Sequence, residues 1–201
     1  MKCLPKSLED LIESLKLLPG IGEKNAIRLS FATLKLNDDQ INKFSTAVKN
    51  VKIKIKKCER CNNLTEDNDL CPICSDESRE CDILCIVENT KDLIHFEESN
   101  VFKGKYHVLE GLISPLEGIN PDDIQINQLV SRIKNENIKE VILALNTSIE
   151  GETTSLYILK LLEGTGVSVS KIAAGIPVGA DMEYLDSLTI QKAIEGRNKL
   201  S

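Results

Sequence analysis

Four of the seven cysteines form two pairs with the same internal spacing, Cys58-x2-Cys61 and Cys71-x2-Cys74, and nine residues separate the pairs. A two-residue gap lets one tight turn present two sulfurs to a single metal ion, and the loop brings the second pair opposite the first. Four thiolates suit tetrahedral zinc and leave no coordination position open, so the spacing predicts a structural zinc site. An iron–sulfur cluster is the main alternative, because thiolates alone do not specify the metal. Redox pairs without a metal are a further interpretation.

The surroundings of these pairs favour a metal over disulfides. The total number of cysteines is odd, and Cys85 and Cys3 lie outside the spacing as a predicted core residue and a predicted exposed thiol. Lys56, Lys57 and Arg60 lie beside the first pair. They are expected to offset the negative charge of the thiolate cluster.

A second candidate site lies near the N-terminus, in the segment Leu18-Pro-Gly-Ile-Gly22 between two helical patterns. Backbone N–H groups at the start of a helix, together with the helix dipole, bind anions such as a DNA phosphate. Lys24 and Arg28 are four residues apart and would share one face behind that site. Gly20, Gly22, Lys24 and Arg28 are therefore the predicted DNA-binding residues. An ordinary helix–helix turn with solvated charges is the alternative, and no Gly-Lys-Ser/Thr follows to make a P-loop.

Four acids follow predicted strands and form the third candidate site. Glu88 comes directly after an apolar run, Asp92 lies one helical turn later, and Glu150 and Glu152 follow a second apolar run. Ligand sites of open parallel sheets lie at the carboxyl ends of strands, so these acids are expected to converge. Such a patch could hold Mg²⁺ for phosphoryl transfer, or it could dock a basic partner. Scattered loop acids are the plain alternative.

Periodic apolar residues predict three helices before residue 55. The first starts at a Ser7–Asp10 capping box and runs to about Leu18, and the third starts at about Asp38. The residues expected to face inward are Ile27, Phe31 and Leu34 in the second helix and Ile41, Phe44 and Val48 in the third. Strict alternation over Val51–Lys56 then predicts a strand with one apolar and one basic face.

After the cysteines, the pattern changes to alternating strands and helices. Continuous apolar runs at Ile83–Val87 and Val141–Leu145 are typical of strands buried on both faces. Tyr106–Leu109 is a third predicted strand, and a fourth begins at Val167. Helical patterns separate the strands, so a parallel sheet with crossover helices is expected.

Composition limits the class of protein. Residues 1–57 contain 12 Lys/Arg and 6 Asp/Glu, whereas the remaining residues contain 13 and 25. A basic module on an acidic body keeps a nucleic-acid partner open despite the net charge of -6. No apolar run reaches the ~18–20 residues of a membrane span, and the N-terminus has no apolar signal-peptide core. A cytoplasmic, nucleoid-associated location without a membrane partner is expected.

The order of these pieces resembles the RecR family of bacterial recombination mediators. Family-like motifs occur at residues 18–24, 64–66, 106–109, 113–119, 175–179 and 193–197. The resemblance implies a helix-hairpin-helix module at 1–56, a zinc finger at 57–80, a Toprim-like α/β domain at 81–172 and a C-terminal assembly segment at 173–201. Glu23 departs from the family's usual Pro, Glu110 and Ala180 from Gly, and Ala174 from a larger residue.

The resemblance also implies a function. It predicts a DNA clamp and adaptor, a ring of four or of dimers, that acts with RecO and RecF to load RecA on gapped or protein-coated single strands. The partner-binding residues would then be Glu88, Asp92, Glu150 and Glu152. RecO would meet this acidic surface.

Catalysis is expected to be absent. Asn146 and Ser148 stand where catalytic Toprim domains carry an Asp-x-Asp pair for Mg²⁺. Neither is an anion, which weakens any site for a hard cation. No tyrosine or histidine has a convincing catalytic partner, and both His95 and His107 are expected to be structural or at the surface. A Mg²⁺-dependent Toprim nuclease or primase is the alternative function.

Overall fold

The computed structural model describes residues 4–197 in two compact units, one ending at Ile55 and the other beginning at Lys56. The first unit is helical, and the second contains the cysteine pairs and a four-stranded parallel sheet. The predicted mixed α/β architecture is therefore confirmed. None of the helices in the described residues is both long and apolar enough to cross a membrane. Cys3, which the sequence predicts to be exposed, lies outside the described residues.

Between residues 4 and 55 the first unit contains three helices: α1 (Lys6–Lys16), α2 (Glu23–Thr33) and α3 (Asp38–Lys54). Leu8, Ile12 and Ala26 form the small core between α1 and α2. The predicted capping box at Ser7 is wrong, because the N-cap is Pro5, two residues earlier, and it makes no side-chain cap. The fixed φ of proline prepares this helix start, and the Pro5 carbonyl accepts the N–H of Leu8.

The predicted inward faces of α2 and α3 are largely wrong. In α2, Ala26 and Ser30 are buried, whereas Phe31 and Leu34 are 44% and 68% exposed. In the part of the chain that the structure describes, α3 buries no residue. Its exposed apolar residues include all three of the predicted inward ones, namely Ile41, Phe44 and Val48. The periodic residues of α2 do form an apolar face. That face stays exposed, because α2 packs against α1 through the small residue Ala26 instead.

The predicted strand at Val51–Lys56 is also wrong, because α3 continues through Lys54. A capping box between Asn37 and Gln40 starts this helix, and Lys52 and Lys54 complement its C-terminal dipole. Val51 extends the helical spacing of Val48, so an alternating pattern here also fits a helical stripe.

The second unit opens with a small finger. β1 (Lys56–Lys57) pairs with β2 (Leu64–Thr65) in antiparallel fashion, and the four-residue helix α4 (Pro72–Ser75) follows. Cys58 directly follows β1, Cys71 directly precedes α4, and Cys74 lies within α4. The finger is therefore built from two short turns and has no separate apolar core.

The remaining elements are β3 (Ile83–Val87), α5 (Thr90–Ser99), β4 (Lys105–Val108), α6 (Ile126–Asn135), β5 (Glu140–Ala144), α7 (Ile149–Leu162), β6 (Ser168–Lys171) and α8 (Ser187–Glu195). The strands are parallel, as predicted, and the structure gives their order as β4-β3-β5-β6. β3 and β5 are adjacent and their connections leave in opposite directions. Their carboxyl ends therefore form the crevice where such sheets bind ligands.

Apolar side chains cover both faces of the sheet. One cluster joins alternate strand residues such as Leu84 and Leu143 to Leu129 of α6 and Ile158 of α7. The other cluster joins Cys85, as predicted, to residues that include Tyr106 and Leu93 of α5. Because both faces of the sheet are buried, these strands appear in the sequence as continuous apolar runs.

Candidate functional site

The four paired cysteines meet in one buried cluster. Their Sγ atoms all lie within 4.8 Å of one another, and each side chain is buried. In the first pair, the Asn63 N–H donates to Cys61 Sγ over 3.5 Å, and Asn62 adopts a φ of 61° that closes the turn. Asn tolerates this left-handed conformation better than most residues, so its position shapes the first knuckle.

The second knuckle is built by a helix start. Cys71 is the N-cap of α4 and Pro72 occupies its first turn, which places Cys74 one turn along the helix. The Cys71 N–H donates to Cys58 Sγ over 3.3 Å, linking the two knuckles. Pro is favoured at this first helical position because its missing N–H has no partner there.

The chemistry of the four sulfurs fits a cation. Cys61 Sγ and Cys71 Sγ lie 3.5 Å apart and share a hydrogen bond. This bond raises the pKa of Cys61 and lowers the pKa of Cys71, because only one of two adjacent sulfurs can readily carry negative charge. A divalent cation removes that conflict by replacing the protons. Four sulfurs at this spacing suit tetrahedral zinc.

The hairpin between α1 and α2 leaves helix donors available. Gly20 has a φ of 81°, a backbone conformation that favours glycine, and Gly22 is the N-cap of α2 with no side-chain cap. The first N–H groups of α2 therefore have no side-chain acceptor. Lys24 and Arg28 are both exposed on this helix, and neither makes an ion pair within residues 4–197. Gly20, Gly22 and Lys24 lie at the start of α2, and Arg28 lies one turn further along the same helix.

The acids at the strand ends occupy two helix starts. Glu88 follows β3, and Asn146, which follows β5, donates its amide to Glu88 Oε2 over 2.7 Å. Asp92 lies in the first turn of α5, where it accepts the Asn89 amide over 2.9 Å. Glu150 and Glu152 lie in the first turn of α7. The acids thus lie on the carboxyl-end side of the sheet.

Several of these acids bind to separate neighbouring side chains and do not gather around one point. Lys171 Nζ lies 2.6 Å from Glu152 Oε1 and holds the pKa of Glu152 below its usual value. Ser148 does not face a metal site but caps α7, accepting the Gly151 N–H over 3.2 Å. Among the described residues, only the cysteines form a group of three or more His, Cys, Asp or Glu ligand atoms lying close together.

Comparison with known proteins identifies each part of the chain. Family models match in succession: the RecR helix-hairpin-helix over residues 8–52, the RecR four-cysteine zinc finger domain over 55–76, the Toprim domain over 82–173 and the RecR C-terminal region over 175–198. A protein named Recombination protein RecR, from Natranaerobius thermophilus, is 44% identical over 200 residues, covering 100% of both chains. The chain belongs to the RecR family.

Membership in the RecR family confirms the zinc prediction and places the chain among recombination proteins. The zinc-finger match spans all four cysteines, so the metal is zinc and the iron–sulfur alternative falls away. The site is closed, with four protein ligands, and its metal supports structure rather than catalysis.

Two residues that matter for the RecR architecture carry no signal in the sequence. Gly151 lies so close to the strand-end loop that an added Cβ would collide with the Asn146 carbonyl oxygen, so only glycine fits. Lys105 at the start of β4 is 3% exposed and donates from Nζ to finger carbonyls. Each contact depends on backbone placed by the fold, and no local pattern indicates it.

The basic residues beside the first cysteine pair are only partly used as predicted. Lys56 pairs with Asp69 at 2.6 Å and Lys57 pairs with Glu110, so neither is committed to the sulfurs. Arg60 does reach the cluster, donating from Nη1 to the Cys74 carbonyl over 3.4 Å. Glu110 adopts a φ of 65°, the conformation for which the usual family glycine is suited.

Proposed function

We propose that this RecR family chain is a non-catalytic clamp and adaptor that binds DNA without reading its sequence. The observation that carries the proposal is the uncapped start of α2 beside Lys24 and Arg28, which have no ion-pair partner in residues 4–197. Backbone donors at the start of a helix, with one cation in its first turn and another one turn further along, suit a DNA phosphate backbone and offer no group for base-edge recognition. Gly20 and Gly22 give the DNA backbone close access to these donors.

The crevice of the Toprim domain supports the non-catalytic part. Asn146 donates its amide to Glu88, so the carboxylate that directly follows β3 is engaged by a neutral side chain. Ser148 is engaged as a helix cap. A two-metal or one-metal centre requires several free oxygen anions around the ion, and this crevice presents no close group of them in the described chain.

The uncovered apolar faces support assembly into a homo-oligomer. Along α3, four of the exposed apolar residues follow spacings of three and four: Ile41, Phe44, Val48 and Val51. This is the stripe that pairs helices across an interface. In the described residues, α8 of the C-terminal segment is also without a buried side chain. Two such surfaces per chain allow a closed ring, as the family resemblance implies.

The acidic carboxyl-end surface is the proposed partner site. Glu88, Asp92, Glu150 and Glu152 carry a charge opposite in sign to the excess charge of the DNA-binding module. A basic partner would be attracted to it, and RecO is the partner that family membership suggests, with RecF as a second. RecA loading on gapped or protein-coated DNA would follow from holding DNA and partner together.

A DNA-binding titration tests the proposal. Lys24→Glu combined with Arg28→Glu should weaken binding roughly tenfold or more and lower the slope of log K against log salt by about 2, since each duplex phosphate contact contributes about 0.9. Lys134→Glu with Lys160→Glu, on α6 and α7, is the matched control because it changes the net charge equally. Equal loss in both double variants would refute the hairpin site. Mg²⁺-dependent cleavage of labelled DNA by the wild type would instead support the nuclease alternative.

A further inference from the structure

Lys105 carries a buried positive charge against the zinc finger. The residue is 3% exposed, and Nζ donates to the carbonyl oxygens of Ile73 over 2.9 Å, Cys74 over 3.4 Å and Asp76. These carbonyls end the second zinc knuckle. Within residues 4–197 no carboxylate forms an ion pair with Lys105. An ammonium is costly to bury without a compensating charge, so this position calls for a negative group nearby.

A second positive group approaches the same knuckle. Arg60 donates from Nη1 to the Cys74 carbonyl over 3.4 Å and from Nε to Glu136 over 2.7 Å. Glu136 also accepts from Arg132 over 2.9 Å, and the Arg132 side chain is itself 3% exposed. Two guanidinium groups and one carboxylate leave this cluster with one net positive charge.

The net negative charge of a zinc tetrathiolate equals the net positive charge of Lys105 and the arginine cluster together. Zinc with four thiolates carries two net negative charges, since each thiolate contributes one and the ion supplies two positive. Lys105 contributes one positive charge, and the cluster of Arg60, Glu136 and Arg132 contributes another. The Asp76 side chain is 44% exposed, so water screens its carboxylate. Arg79 lies 3.7 Å from it but pairs more closely with Glu97, at 2.6 Å.

We propose that Lys105 and the Arg60–Glu136–Arg132 cluster are positioning residues that neutralise the zinc tetrathiolate. Lys105 belongs to β4 and Arg132 to α6, so retention of the metal depends on side chains of the Toprim domain and not only on the finger. Positive groups beside cysteine sulfurs favour the deprotonated, metal-binding form over the protonated thiol, which slows metal loss. The proposal concerns the zinc site alone and does not depend on the proposed DNA-binding function.

The test measures zinc transfer from the full-length protein to a chromogenic chelator. Lys105→Met and Arg60→Gln each remove one positive charge and should release zinc about 10- to 100-fold faster, the usual range for outer-shell changes. Glu136→Gln removes a negative charge and should slow release below the wild-type rate. A purely structural role predicts the opposite for Glu136→Gln, because breaking the arginine pairs would loosen the finger.

A spectroscopic control keeps the test decisive. Co²⁺ in place of zinc reports tetrahedral thiolate coordination in each variant, so a changed release rate with an unchanged spectrum reflects charge and not a distorted site. Arg60 is partly exposed, which makes Arg60→Gln the variant least able to disturb folding. Faster release from Glu136→Gln, or equal rates in all variants, would overturn the proposal.

Discussion

Lys16 Nζ lies 2.9 Å from Glu23 Oε2, across the hairpin that joins α1 to α2. The same ammonium lies 2.9 Å from Glu13 Oε1. Glu23 is the first residue of α2, where a DNA phosphate is proposed to bind, and it therefore competes with that phosphate for the helix start. Lys16 offsets this competition locally.

The first prediction follows from that pair. Glu23→Gln should tighten DNA binding by about 2- to 5-fold, because a helix-terminus charge is worth about 0.3–1 kcal/mol and Lys16 becomes available to DNA. Lys16→Gln should weaken binding, since it leaves Glu23 without its cation. Fluorescence anisotropy with duplex and gapped DNA measures both. If Glu23→Gln left the affinity for DNA unchanged, the start of α2 would not be a DNA contact.

The second prediction concerns the metal. The full chain should carry one zinc, and Cys58→Ala should lose it and melt at a lower temperature, because the energy of metal binding is part of the folding energy. Cys81→Ala is the matched control, since Cys81 is an exposed free thiol. Metal analysis and thermal unfolding give the readouts. A folded Cys58→Ala protein with normal stability would contradict a structural role.

The third prediction separates a partner surface from a metal site. Reversing Glu88, Asp92, Glu150 or Glu152 to Lys should weaken the complex with RecO, most at low salt where charges are least screened. DNA binding by the chain alone should persist or increase slightly. Glu98→Lys, at the far end of α5, serves as the control reversal. If all four charge-reversal variants bound RecO with wild-type affinity, the acidic surface would not be the RecO site.

The fourth prediction tests the stripe along α3. Phe44→Glu places a charge on a residue that is 51% exposed in the single chain and should disrupt the homo-oligomer, while the unit that contains the cysteines and the sheet stays folded. Thr46→Glu, on the opposite side of the same helix, should leave assembly intact. Sedimentation velocity distinguishes the two. An oligomer of normal size in Phe44→Glu would place the interface elsewhere.

Sequence-based prediction works best where local pattern and final burial agree. The runs Ile83–Val87 and Val141–Leu145 are apolar at every position because a parallel sheet buries both faces, so both strands are predicted to within one residue. The cysteine spacing is similarly decisive, since two knuckles and one metal need only local turns.

Prediction fails where the deciding contact is set by the fold rather than by local pattern. Val51, Ile53 and Ile55 alternate like a strand, yet Val51 also continues a helical stripe, and the helix prevails. Lys105 reaches carbonyls 32 and 31 residues earlier in the chain, and no periodicity reports such a contact. Gly151 shows the same limit, because the carbonyl that excludes a side chain lies on the preceding loop.

Because the apolar face of α3 is exposed in the single chain, the stability of the folded protein is expected to depend on protein concentration. A helix that buries none of its residues within the described chain gains little from folding alone, whereas each large apolar side chain covered by a partner contributes about 1.5–3 kcal/mol. On the proposed assembly, unfolding and dissociation form one equilibrium, and the melting temperature rises with total protein concentration. Dilution would then loosen the helical unit that ends at Ile55 first and leave the unit with the zinc finger and the sheet folded.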